Sequence, residues 1–213
     1  MQKVITIAHQ KGGVGKSTLA LNLAVELAKR YPLQIIDLDF QKSLTIFNEN
    51  RKEIGLQPLD IVSVEDHKEL IEKIETSDKL LLIDSGGFDS DLNRIALVGA
   101  DLIITPLSSN LIEIYGLEAF KKILQELKEI KSDIRSNVLL NNIHPQMQKG
   151  IAEIREFIAS SSYFDMFTTV IRKRSAFAKS FEEGRNVVEM NPNSPAAKEI
   201  LSLLDEIISL LNK

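Results

Sequence analysis

The stretch HQKGGVGKST, residues 9–18, constrains this chain more than any other part of it. It lies between a short β-rich run, ITIA, and an alanine- and leucine-rich run, TLALNLAVELA, so that its glycines and lysines fall where a strand turns into a helix. Gly12, Gly13 and Gly15 admit backbone conformations closed to other residues and point successive N–H groups toward an anion, and the helix N-terminus adds a favourable dipole. A phosphate group suits such a loop. The strict pattern G-x-x-x-x-G-K-[ST] misses the stretch because Gln10 occupies its first glycine position, but everything after that fits. Lys16 is placed to meet β- and γ-phosphates and Ser17 to give Mg²⁺ a hydroxyl ligand, with Val14 and Thr18 completing the loop.

The remainder of the chain repeats the strand-then-helix order. Runs at 4–8, 33–38, 80–84, 102–106 and 138–142, with weaker ones at 60–62 and 168–171, read as strands. Most are continuously apolar instead of alternating, as expected of strands covered on both faces in a parallel sheet. Between them, Leu19, Leu23 and Leu27 recur every fourth residue, and 116–130 and 151–158 have similar helical spacing. The last helix carries Ile200, Leu203, Leu204, Ile207, Ile208 and Leu211 on one face, with mixed rather than basic charges opposite, which fits packing on a core better than lying on a membrane. The expected fold is α/β: a doubly wound, mostly parallel sheet flanked by helices, its ligand site at the carboxyl ends of the strands. With 213 residues and no linker, repeat or low-complexity tract, residues 1–213 are expected to form a single domain.

Composition narrows the chemistry. There is no cysteine, so disulfides, thiolate metal sites and thiol catalysis are excluded. The net charge of -4 argues against a surface that coats nucleic acid everywhere, though not against a local basic patch. No apolar stretch is long enough to span a membrane and the N-terminal run is too short for a secretory signal, which makes a cytoplasmic protein the expectation. His9, His67 and His144 are too scattered in sequence to suggest a metal site. Asp37, Asp39 and Asp84, by contrast, all stand at the carboxyl ends of expected strands, where Mg²⁺ would find oxygen ligands.

The second lysine, Lys11, together with KGGVGKS, IIDLDFQKSLT and LLLIDSGG, resembles the deviant Walker-A ATPases of the ParA/MinD group, and the resemblance covers nearly the whole chain. Two positions depart from that group's pattern: Phe40 stands where proline is usual, and Ser85-Gly86-Gly87 replaces a proline-containing turn. The resemblance implies that ATP and Mg²⁺ are the cofactors and that Lys11 reaches a γ-phosphate across a nucleotide-sandwiched homodimer. It further implies that Asp39 orients the attacking water, that Asp84 holds Mg²⁺ through a water with Asp37 in support, and that Asn141 contacts adenine. TVIRKRSAFAKSFEEGRNVVE resembles the corresponding region of small, ParF-like partition proteins, and its Arg172, Lys173, Arg174, Lys179 and Arg185 are the candidate contacts to nonspecific DNA. The helix-turn-helix domain of longer relatives, and with it sequence-specific operator binding, is not expected. The expectation is therefore a nucleoid-associated partition ATPase with a ParB-like or other centromere-binding partner and no membrane. Two alternatives are a MinD-like positioning ATPase on a membrane and an ATP-dependent ligase resembling dethiobiotin synthetase.

Overall fold

The computed structural model describes residues 3–108, 111–147 and 149–212. Seven strands form one sheet: β1 (Val4–Ile7), β2 (Leu33–Asp37), β3 (Ile61–Val62), β4 (Leu80–Asp84), β5 (Leu102–Leu107), β6 (Ser136–Ile143) and β7 (Phe164–Arg172). Their order is β3-β2-β4-β1-β5-β6-β7. Every neighbouring pair is parallel, so the expected mostly parallel sheet is parallel throughout the described residues. The five continuously apolar runs form β1, β2, β4, β5 and β6, and the first four of these are almost wholly buried. The two weaker runs are the edges. β7 is nine residues long, but only Phe164, Phe167 and Ile171 of it are buried.

Helices α1 (Lys16–Ala28), α2 (Ser43–Glu53), α3 (His67–Thr76), α4 (Asp91–Gly99), α5 (Leu111–Leu127), α6 (Lys149–Ala159), α7 (Ser175–Glu182), α8 (Val187–Met190) and α9 (Pro195–Leu211) fill the connections. Of these, α1, α5, α6 and α9 carry the apolar periodicity seen in the sequence; α5 and α6 begin earlier than that periodicity suggests. Helices α2 and α3 give a weak signal, since each buries only a few side chains, such as Leu44 and Phe47 in α2 and Leu70 in α3. On α9, Ile200, Leu203, Leu204, Ile207 and Leu211 are buried in a cluster with Leu19, Leu23 and Leu27 of α1 and Leu139 of β6. The apolar face of α9 is thus consumed by the core.

Two features distinguish the β6–β7 edge of the sheet. Between β6 and β7 the register shifts twice, and Asn142 takes a left-handed φ of 58° at the second shift. Glu206 of α9 holds the displaced part of β7, accepting hydrogen bonds from the backbone N–H groups of Thr168 and Thr169 at 2.8 Å each. The carboxyl ends of β1, β2, β4 and β6 then open on the loop that enters α1.

Candidate functional site

The loop between β1 and α1 folds as its glycines predict. Gly13 and Gly15 have φ values of 80° and 90°, a region that side-chain-bearing residues rarely enter. Helix α1 starts at Lys16 with no side chain capping its first turn, so its leading N–H groups are left for an anion. Asn141, at the end of β6, donates from Nδ2 to the carbonyl of Val14 at 2.8 Å. A Cβ on Gly15 would lie 2.5 Å from the same nitrogen, so glycine is needed here for space as well as for φ.

The two lysines of the loop differ. Lys16 is 5% exposed and its Nζ donates to the carbonyl of Lys11 at 3.2 Å. Burial lowers its pKa, with Asp84 and Asp39 pulling the other way. Lys11 stays partly exposed, and its Cδ passes close to Gly116 of α5.

Opposite the loop stand the carboxylates. Asp37 and Asp84 are paired in register on adjacent strands and both are fully buried. Neither oxygen of Asp84, nor Oδ2 of Asp37, has a hydrogen-bond partner at close geometry, although the Ser17 hydroxyl lies near enough to Asp84 to favour its charged form. Burial raises the Asp84 carboxyl to about 7, helped by Asp37 and Asp39 and opposed by the Ser17 hydroxyl and by Lys16. Asp37 is also raised by burial, against the pull of Lys42 and of the backbone bond from Asp39. Its Oδ1 accepts from the N–H of Asp39 at 3.1 Å. Oδ1 of Asp39 in turn accepts from the N–H of Gln41 at 3.0 Å.

Buried, unpartnered carboxylate oxygens beside a serine hydroxyl fit a hard divalent cation. Among the described residues no three histidine, aspartate or glutamate side chains gather closely enough to cage a metal by themselves. The three aspartates therefore do not converge into a metal-binding cluster. Such an arrangement suits Mg²⁺, which keeps several waters and takes other ligands from phosphates.

The turn after β4 packs closely against the phosphate loop. A Cβ on Gly87 would lie 3.1 Å from the backbone nitrogen of Gly12, so the turn leans directly on the phosphate loop. Asn93 of α4 holds the turn in place: its Oδ1 accepts from Gly86 N–H at 3.3 Å and its Nδ2 donates to Phe88 O at 2.6 Å. Phe40, where the group usually has proline, is 88% exposed. Asn93 does not stand out in the sequence, whereas Gly87 does as half of the double glycine, the one signal that marks this contact.

On the far side of the loop is a cleft of about 960 Å³, bounded by Val14, Thr18, Leu19, Asn141, Phe177 and the segment 171–175. The residues of the expected basic strip differ in their surroundings. Arg172 is partly exposed, and its guanidinium donates to the carbonyls of His144 and Met147 at 3.3 and 3.1 Å. Arg174 is ion-paired with Glu199 at 2.6 Å, which raises its pKa further. Both line the cleft, because β7 ends beside the phosphate loop and carries its last residues into it. Lys173, Lys179 and Arg185 are exposed.

Comparison with known proteins agrees with this geometry. The model of the CobQ/CobB/MinD/ParA nucleotide binding domain matches residues 5–187. A protein ParA of Rhizobium radiobacter is 25% identical over 88% of this chain and 86% of its own length. A chromosome-partitioning ATPase Soj of Thermus thermophilus is 26% identical, with 96% of this chain and 95% of that protein covered. The septum site-determining protein MinD of Pyrococcus horikoshii, solved with Mg-ADP, shares the fold with a TM-score of 0.71 at 17% identity, over 97% of this chain and 96% of its own. With its phosphate loop, its paired strand-end aspartates and a family match spanning most of its length, the chain belongs to the CobQ/CobB/MinD/ParA family of nucleotide-binding domains.

Proposed function

We propose that this chain is a ParA-type partition ATPase, which forms a homodimer with ATP, binds DNA without sequence preference in that state, and releases it on hydrolysis. The observation that carries the reading is the contrast between the loop lysines. Lys16 is buried and directed into its own loop, whereas Lys11 remains partly exposed. Only Lys11 is free to serve a nucleotide held by a second copy.

In this reading the loop amides of Gly12 to Gly15 and the N-terminus of α1 hold the phosphates, and Lys16 leaves the Lys11 carbonyl to meet the β- and γ-phosphates. Ser17 and, through a water, Asp84 would hold Mg²⁺, which would supply positive charge beside the phosphates when bound. Asp39 orients the attacking water, an act of positioning more than of proton removal. Lys11 from the partner supplies the charge that an arginine finger gives elsewhere. The cleft beside Asn141 takes adenine, with Leu19 and Phe177 offering apolar surface to the ring. Lys173, Lys179 and Arg185 meet DNA phosphates, and a ParB-like or centromere-binding protein stimulates hydrolysis, placing the protein at the nucleoid.

The deciding measurement is solution mass with a non-hydrolysable ATP analogue and Mg²⁺. Wild type should double its mass and Lys11→Ala should not, while Lys11→Ala keeps much of the nucleotide-induced thermal stabilisation, about 2.7 kcal/mol at 100 times Kd. A wild-type chain that stays single with the analogue bound refutes the reading. Equal DNA retention with ATP and ADP across a salt series would remove the switch while leaving the ATPase.

A further inference from the structure

We infer that His9 is a positioning residue for Lys11: its imidazole fixes the peptide that carries the second loop lysine. This inference rests on the role proposed for Lys11 and adds to it the element of the fold that holds that residue in place. The Nδ1 of His9 accepts a hydrogen bond from the backbone N–H of Lys11 at 2.9 Å. On the other face of the same residue, Lys16 donates to the Lys11 carbonyl. Once Lys16 turns to phosphate, the bond from His9 is the one of these two that remains.

The ring is built in. His9 is 1% exposed and lies nearly parallel to Phe120 of α5, with centroids 6.4 Å apart at an interplanar angle of 15°. A Cβ on Gly116 would come within 3.0 Å of His9 Cε1 and 3.8 Å of Lys11 Cδ, so α5 runs beside both the ring and the lysine stem. Burial, with Lys16 and Lys11 nearby, lowers the imidazole pKa to about 4. The ring is therefore neutral at ordinary pH, its proton on Nε2 and its Nδ1 free to accept. That fixed tautomer comes at a cost to the fold, since Nε2 is buried without a partner. A residue kept only for packing would not need this nitrogen.

The test compares His9→Phe, which keeps an aromatic ring against Phe120 but has no acceptor, with His9→Asn, whose Oδ1 can accept the Lys11 N–H. His9→Phe should retain nucleotide-induced thermal stabilisation, yet lose analogue-driven dimerisation and lower ATP hydrolysis by roughly tenfold or more, as displaced positioning groups do. His9→Asn should recover part of both. Gly116→Ala, which presses on the ring from α5, should show the same separation of binding from dimerisation. In a Lys11→Ala background, His9→Phe should cause no further loss, because the two residues act as one unit. The inference is overturned if His9→Phe dimerises and hydrolyses like wild type while Lys11→Ala does not, or if the two losses simply add. Should Lys11→Ala itself behave as wild type, the role proposed for Lys11 fails and this inference fails with it.

Discussion

Asp84→Asn separates a carboxylate kept for a cation from one kept for the fold. Asp84 is wholly buried, with the Ser17 hydroxyl beside it, and its carboxyl is raised from 3.8 to about 7, chiefly by burial. The folded state thus favours the protonated acid. Its contribution to stability is complete below the unfolded value of 3.8, declines as pH rises, and is lost above about 7. The separation between 3.8 and about 7, at about 1.36 kcal/mol per pH unit, amounts to about 4 kcal/mol. Asparagine has no such dependence. Its buried amide carries a cost of about 1–3 kcal/mol of its own, but that cost is the same at every pH. The quantity to measure is the difference in urea-unfolding free energy between variant and wild type, with a metal chelator and no nucleotide, from about pH 4 to about pH 8. The difference should move in the variant's favour by about 4 kcal/mol across that interval. A flat difference would show that Asp84 is not held against its own charge and would remove the main structural ground for a cation here. With Mg²⁺ and ATP added at neutral pH, wild type should gain more stability than the variant, which cannot offer the same negative oxygens.

Other variants probe the supports of the site. Arg51 of α2 has a side chain 5% exposed and paired with Glu189 at 2.8 Å, and it also donates to the carbonyl of Gly184 at 3.0 Å. Arg51→Ala should cost about 3 kcal/mol by denaturant unfolding, with the Arg51→Ala, Glu189→Ala pair costing less than the sum of the singles; strict additivity would refute the pairing. Gly15→Ala drives a methyl group into Asn141 at a φ that alanine resists, and it should abolish the nucleotide-induced thermal shift; a retained shift would show that the loop can reshape around it. Charge reversal at Lys173, Lys179 or Arg185 should each reduce the salt slope of DNA binding by about 0.9, whereas Arg174→Gln should leave it unchanged. A slope that falls only with Arg174→Gln would put the DNA contact on the cleft side.

Legibility followed the local physics. Residues 9–18 declare a phosphate loop because φ above zero, exposed amides and a helix start are all set by neighbours in the chain, and Gly13, Gly15 and Lys16 are found as that pattern requires. The continuous apolar runs announce central strands, since burial on both faces leaves no polar position. Edge strands β3 and β7 are faint because one side of each lacks a strand neighbour, and α2 and α3 are faint because few of their side chains meet the core.

What depends on distant partners could not be read in this way. The charges of Arg172 and Arg174 are plain in the sequence, but their confinement by His144, Met147 and Glu199 is set by where β7 ends and where α9 packs. The grip of Asn141 on Val14 spans 127 positions of chain, and the seat of Gly87 on Gly12 exists only because β1 and β4 are adjacent. The sequence by itself determined the class of fold and the kind of ligand, because both rest on short-range backbone geometry and on which residues avoid water. Tertiary structure decided which charges are free, which carboxylates lack close partners and what packs against the His9 ring, because each of these depends on side chains that meet only once the strands are ordered.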